Sequence, residues 1–138
     1  MIKLIIGNKG SGKTKKLIDL VNDAAKASKG NVVCVEKGDT LTYSITHQAR
    51  LVDAESYGIS GYGELYALLC GIQSSNHDVT DIFVDATLRL GGRDYDDLAA
   101  FMDRLSAVAE ESNTNFTFTV SCAEEDLPKQ IFEVTEKI

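Results

Sequence analysis

The segment GNKGSGKT, residues 7–14, lies between the apolar run IKLII (2–6) and the stretch KKLIDLVNDAAK (15–26). It fits the template Gly-x-x-x-x-Gly-Lys-[Ser/Thr] at Gly7, Gly12, Lys13 and Thr14. Each residue type has a mechanical reason to be there. Without Cβ atoms, Gly7, Gly10 and Gly12 let the backbone turn sharply and bring its N–H groups against an anion. A helix starting directly afterwards presents unpaired amides and its positive dipole end to the same anion. Lys13 supplies a mobile point charge for the outer phosphates of a nucleotide, and the Thr14 hydroxyl a ligand for magnesium. Asn8, Ser11 and Lys15 complete the predicted phosphate-contacting set. Lys9 belongs to it by position, although it reads as a solvated loop residue.

Outward from this loop, short apolar runs alternate with helical periods. Residues 2–6 read as a buried strand. Leu17, Leu20, Val21, Ala24 and Ala25 then recur at three and four residues, as one helix face does. Lys26 and Lys29 sit near the negative end of that helix, with Gly30 as its expected cap. NVVCV (31–35), ARLVDA (49–54), DIFVD (81–85) and NFTFTVS (115–121) read as further strands, the last with one face less buried because Phe and Thr alternate. Leu65, Leu68, Leu69 and Ile72 mark a second helix, and Leu98, Phe101, Met102, Leu105 and Val108 a third over 94–111. The aspartates 94, 96 and 97 suit the start of that third helix. Pro128 is expected to open a final helix over 129–136. Strands alternating with helices predict one α/β domain over 1–138, with a mostly parallel sheet between two helical layers.

The loop and the apolar strand ending in Asp85 resemble the P-loop NTPase superfamily. The resemblance implies a three-layer α/β/α fold with a five-stranded sheet of order 5-1-4-3-2. It also implies that Asp85, with Thr14, holds Mg2+ on bound ATP or another NTP. In the branch that has an additional strand between the loop strand and the aspartate strand, a polar residue closing the strand after the aspartate strand often senses the γ-phosphate. Ser121 occupies the corresponding place. The chain looks most like short, uncharacterised bacterial P-loop ATPase-like proteins, some of which carry a twitching-motility ATPase label. Those motors resemble it only at the glycine loop. Their acidic box, histidine box and additional N-terminal domain are not recognisable in these 138 residues.

Many hydrolysing members of the branch place a glutamate directly after the magnesium aspartate, whereas here Asp85 precedes Ala86 and Thr87, neither a carboxylate base. The expectation is therefore a slow NTPase, a nucleotide switch, or an enzyme completed by a protein partner or a second copy of the chain. Arg89 and Arg93, flanking Gly91-Gly92, are candidates for charge stabilisation. Solvated loop arginines are the plainer reading. A nucleoside or nucleotide kinase resembling thymidine kinase is the alternative, although that family shows Asp-Glu where Asp85-Ala86 stands and often a zinc-binding cysteine set. A non-hydrolysing nucleotide-binding module is another. Tyr57, Tyr62 and Tyr66 suggest packing before a lid, His47 and Arg50 a structural role, and Glu36, Lys37 and Asp39 a solvent-facing turn.

Composition bounds these readings. Hydrophobic residues make up 43% of the chain and charged residues 25%, as in folded globular proteins. A formal charge of −7 disfavours nonspecific nucleic-acid binding. Three scattered cysteines (Cys34, Cys70, Cys122) predict reduced thiols and a cytoplasmic setting. No run approaches the roughly 18 apolar residues of a membrane span, and the interrupted N-terminal run does not read as a signal peptide.

Overall fold

Unbroken apolar runs have somewhere to point on both sides only in a sheet covered on both faces. The structure, a computed structural model, describes residues 1–138 and has that form. In chain order the elements are β1 (Ile2–Gly7), α1 (Lys13–Ala27), β2 (Asn31–Glu36), β3 (Ala49–Asp53), α2 (Tyr62–Ser75), β4 (Val79–Val84), α3 (Thr87–Gly91), α4 (Tyr95–Ser112), β5 (Asn115–Ser121) and β6 (Glu136–Lys137). Leu4, Val33, Val35, Ile82, Val84, Phe116 and Phe118 face the larger core, with α2, α3 and α4 over them. Ile5, Val32, Cys34 and Phe83 face a smaller core closed by Leu17 and Val21 of α1, with Leu41 and Ile45 beside them. No helix is long and apolar enough to cross a membrane.

All strand pairs are parallel, and the order is β3-β2-β4-β5-β1-β6. The three-layer α/β/α fold class is therefore as expected, but the sheet has six strands and the order 5-1-4-3-2 needs correcting. β3 lies outside β2, at the sheet edge, and β6 adds a strand beyond β1. With β3 set aside, the remaining five strands, numbered along the chain, do read 5-1-4-3-2. The C-terminal stretch corrects a second expectation. After Pro128 a 3-10 turn spans Lys129–Glu133, and Ile138 N–H then bonds to Leu4 O at 2.9 Å, holding β6 in the sheet.

β5 corrects a third. Thr117 and Thr119 are buried along with Phe116 and Phe118, because β5 is central rather than half-covered.

Gly30 is not the cap of α1. The helix ends at Ala27, where Ser28 N–H bonds to Ala24 O. A Cβ on Gly30 would instead collide with the Asp78 carbonyl oxygen, where the chain enters β2 beside β4. Gly30→Ala is thus expected to lower stability by about 1–3 kcal/mol, as overpacking does. Denaturant melting reads this directly, and an unchanged midpoint would contradict the close approach.

Candidate functional site

β1 delivers the chain to Gly7, whose register partner is Ser121 at the end of β5. The loop then folds back on itself. Ser11 N–H bonds to Asn8 O at 3.1 Å, and Gly10 and Gly12 take φ of 85° and 86°, the left-handed region that glycine enters without strain. The Lys13 side chain crosses the loop, its Nζ 3.0 Å from Asn8 O and 3.5 Å from Ser11 Oγ.

The start of α1 is chemically odd. Helices favour carboxylates and capping side chains at their N-termini, as α4 shows: Asp94 Oδ1 accepts from the N–H groups of Asp96 and Asp97. α1 has no side-chain cap, no acidic residue in its first turn, and three lysines there instead (Lys13, Lys15, Lys16). Positive charge on a positive dipole end is unfavourable alone and favourable around an anion.

Across from α1, Asp85 lies one residue beyond β4, where its N–H bonds to Val35 O at 2.9 Å. Its carboxylate accepts from Thr14 Oγ1 at 3.3 Å to each oxygen, and from Thr119 Oγ1 at 2.7 Å. Thr119 Oγ1 in turn accepts from Ala86 N–H at 2.9 Å. Sequence reasoning passed over Thr119. Its signal was a hydroxyl two residues before the end of a strand that the sheet order makes central.

A hydroxyl beside a carboxylate is a hard-oxygen donor pair that suits Mg2+. No group of three or more His, Cys, Asp and Glu that could hold a metal exists in the chain. A magnesium ion here would draw its other ligands from water and phosphate, as Mg2+ commonly does.

These groups face one cavity of about 920 Å³. Lys9, Lys13, Lys15, Arg89 and Arg93 line it against a single carboxylate, Asp85. Gly10, Gly12, Thr14 and Ser121 also line it, while Gly7, Asn8 and Ser11 do not. The only ion pair in the chain is Lys137–Glu124, so all five cations lack a carboxylate partner, in a protein of net charge −7.

Glu36 corrects the expectation of a solvent-facing turn. It is 3% exposed and closes β2, which pairs with β4 so that Val35 stands opposite Val84. Burial pushes its carboxyl above the ordinary value. The Leu41 N–H and the Thr40 hydroxyl, which donate to it at 3.2 and 3.1 Å, counter that push, and the Asp85 charge adds a smaller upward one. Two residues before Glu36 on β2, burial raises the Cys34 thiol to about 12, with Asp85 and Glu36 adding to the effect, so this cysteine is inert as a nucleophile.

The segment after Asp85, which gave no helical signal in the sequence, carries two local costs. Ala86 sits at φ 57°, a left-handed conformation worth roughly 1–2 kcal/mol for a residue with a Cβ. The Thr87 hydroxyl is fully buried with no hydrogen-bond partner, a cost of about 1–3 kcal/mol. Beyond α3, Tyr62 O–H donates to Gly92 O at 2.6 Å and packs on Phe101, with ring centres 5.2 Å apart. Tyr66 lies under the Arg104 guanidinium at 3.9 Å, and Tyr57 is 70% exposed. Two of the three tyrosines therefore pack. His47, Arg50 and Tyr57 line a separate groove of about 820 Å³ between β3 and α2.

No protein-family model matches the chain, and no curated protein matches it in sequence. Among solved structures it is similar to the flagellar accessory protein FlaH from Methanocaldococcus jannaschii, with a TM-score of 0.60 at 14% identity. The match covers 96% of this chain and 65% of the FlaH chain. At that identity the likeness establishes the architecture alone: this chain has a P-loop NTPase-like fold.

Proposed function

We propose that the chain binds the triphosphate of ATP or another NTP with Mg2+ at residues 7–14. On this reading it acts as a slow or partner-dependent NTPase, or as a nucleotide switch. The observation that carries the reading is the uncapped start of α1, whose Lys13 and Lys15 join Lys9, Arg89 and Arg93 as five unpaired cations around one cavity that also holds the Thr14–Asp85 pair. Such an arrangement is self-repelling without a polyanion and complementary with one.

Lys13 bridges the outer phosphates, Thr14 and Asp85 hold the magnesium, and Ser121, Arg89 and Arg93 answer to the terminal phosphoryl group. Glu36 supplies the carboxylate that the position after Asp85 lacks. A raised carboxyl beside the magnesium aspartate suits a general base. That role requires the turn holding it through Thr40 and Leu41 to release it. The likeness to short bacterial P-loop proteins, a cytoplasmic setting and assembly with a protein partner or a second copy belong to the same proposal.

Isothermal titration with ATP, with and without magnesium, tests the reading, followed by a phosphate-release assay over hours. Asp85→Asn keeps one acceptor oxygen for Thr119 but removes the charge. It is expected to weaken magnesium affinity about tenfold, the effect of disturbing a metal's outer support. Metal-free ATP binding should stay nearly unchanged. If the variant binds Mg-ATP as the wild type does, Asp85 is not the magnesium residue.

A further inference from the structure

β3 is an outer strand of the sheet, and α2 packs against α4, α3 and β4 more than against it. The shortfall leaves the groove of about 820 Å³ between β3 and α2, a size that suits a small molecule. Val33 of β2 and Val79 of β4, both buried, line it, and Val52, Leu68 and Ile72 give it apolar walls. Tyr57, one of three exposed large apolar side chains in the chain, lines it too. Gly71 of α2 keeps the groove open. A glycine inside a helix weakens it relative to alanine. Here an added Cβ would meet no atom within 4 Å, so no tight packing requires the glycine. Any longer side chain at Gly71 would enter the groove it lines.

Charge selects the occupant. None of the chain's 21 aspartates and glutamates lines this groove, whereas Arg50 and His47 do. Arg50 is exposed and has no ion-pair partner. One permanent cation suits one negative charge, where the five around the phosphate loop suit a polyanion. The guanidinium fork matches a carboxylate through two parallel hydrogen bonds. We propose that the groove is a binding site for a small monocarboxylate with an apolar body. The hydrocarbon lies between β3 and α2 against Gly71, and the carboxylate pairs with Arg50, with His47 as a second donor. The site is separate from residues 7–14 and does not depend on nucleotide binding there.

The test is a titration of decanoate into 15N-labelled protein, read at each backbone amide. Acetate, which lacks the tail, and decyltrimethylammonium, which reverses the head, are the comparison probes. Decanoate is expected to give saturable shifts at Val52, Leu68, Gly71 and Ile72, with a Kd of about 0.1–1 mM, the scale for a dozen ligand atoms. Both comparison probes should bind at least about tenfold more weakly. Arg50→Gln, at an exposed edge position, should weaken decanoate binding about tenfold, the loss of a charge-assisted hydrogen bond. Gly71→Leu should abolish saturable binding and leave the melting temperature no lower than that of the wild type, because leucine is the better helix former. No saturation with decanoate, equal binding of the cationic probe, or full affinity in either variant would overturn the proposal. So would shifts at the same amides when the protein alone is diluted, which would mean that a second copy of the chain covers the groove.

Discussion

Lys13→Ala is expected to weaken Mg-ATP binding by about 100-fold while leaving the fold intact. The side chain is 9% exposed, and its ammonium already lies across the loop, bonded to Asn8 O and Ser11 Oγ. It therefore loses little freedom when phosphate oxygens replace those partners. Hydrogen bonds to charged groups contribute about 1.5–3 kcal/mol each, and 1.4 kcal/mol is a factor of ten, so losing one or two gives that scale. The fold should tolerate the change, because Leu17 and Val21 anchor α1 to the sheet. Removing a cation from a positive helix end should, if anything, raise the melting temperature of the free protein. Calorimetry and thermal melting together check both halves. A variant that binds normally would remove Lys13 from the site.

Glu36→Gln is expected to slow phosphate release by about 100-fold, the lower range for losing a general base, with ATP affinity little changed. Gln keeps an acceptor for the Leu41 N–H or the Thr40 hydroxyl, so the turn should persist. The substitution also has a stability signature whose sign is fixed. Because burial raises the Glu36 carboxyl above its ordinary 4.5, this group's contribution is fully present below that value and is lost as pH rises through the raised one. The wild type should therefore lose stability relative to the Gln variant over that window. Melting across pH 4 to 8 reads it. If the variant releases phosphate at the wild-type rate, Glu36 is only the anchor of its turn. If neither releases any over hours, the chain is a binding switch.

What the sequence makes legible here is local chemistry. Gly7 to Thr14 is contiguous, and its spacing alone places an amide-rich bend between a strand and a helix. Asp85 is legible because a buried run stops at a carboxylate. Glu36 and Thr119 were hidden because their meaning depends on neighbours remote in sequence. Only the pairing of β2 with β4 puts Glu36 near Asp85, and only the position of β5 between β4 and β1 buries Thr119 beside it. β6 escaped because two exposed, charged residues carry no strand pattern and are held by backbone bonds to β1. Gly30 misled for a related reason: a glycine after a helix usually caps it, and here the constraint comes from Asp78, across the sheet.

A nucleotide has two places where it could sit. The chain offers a polar cavity at the loop and a more apolar groove between β3 and α2, so location is the sharpest discriminator. Titrating Mg-ATP into 15N-labelled protein and following each backbone amide resolves it. Saturable shifts are expected at Gly10, Gly12, Lys13, Thr14 and Lys15, with Ala86 following. Shifts confined to Arg50, Val52, Leu68 and Ile72, or none up to millimolar ATP, about the weakest affinity physiological nucleotide levels sustain, would contradict it.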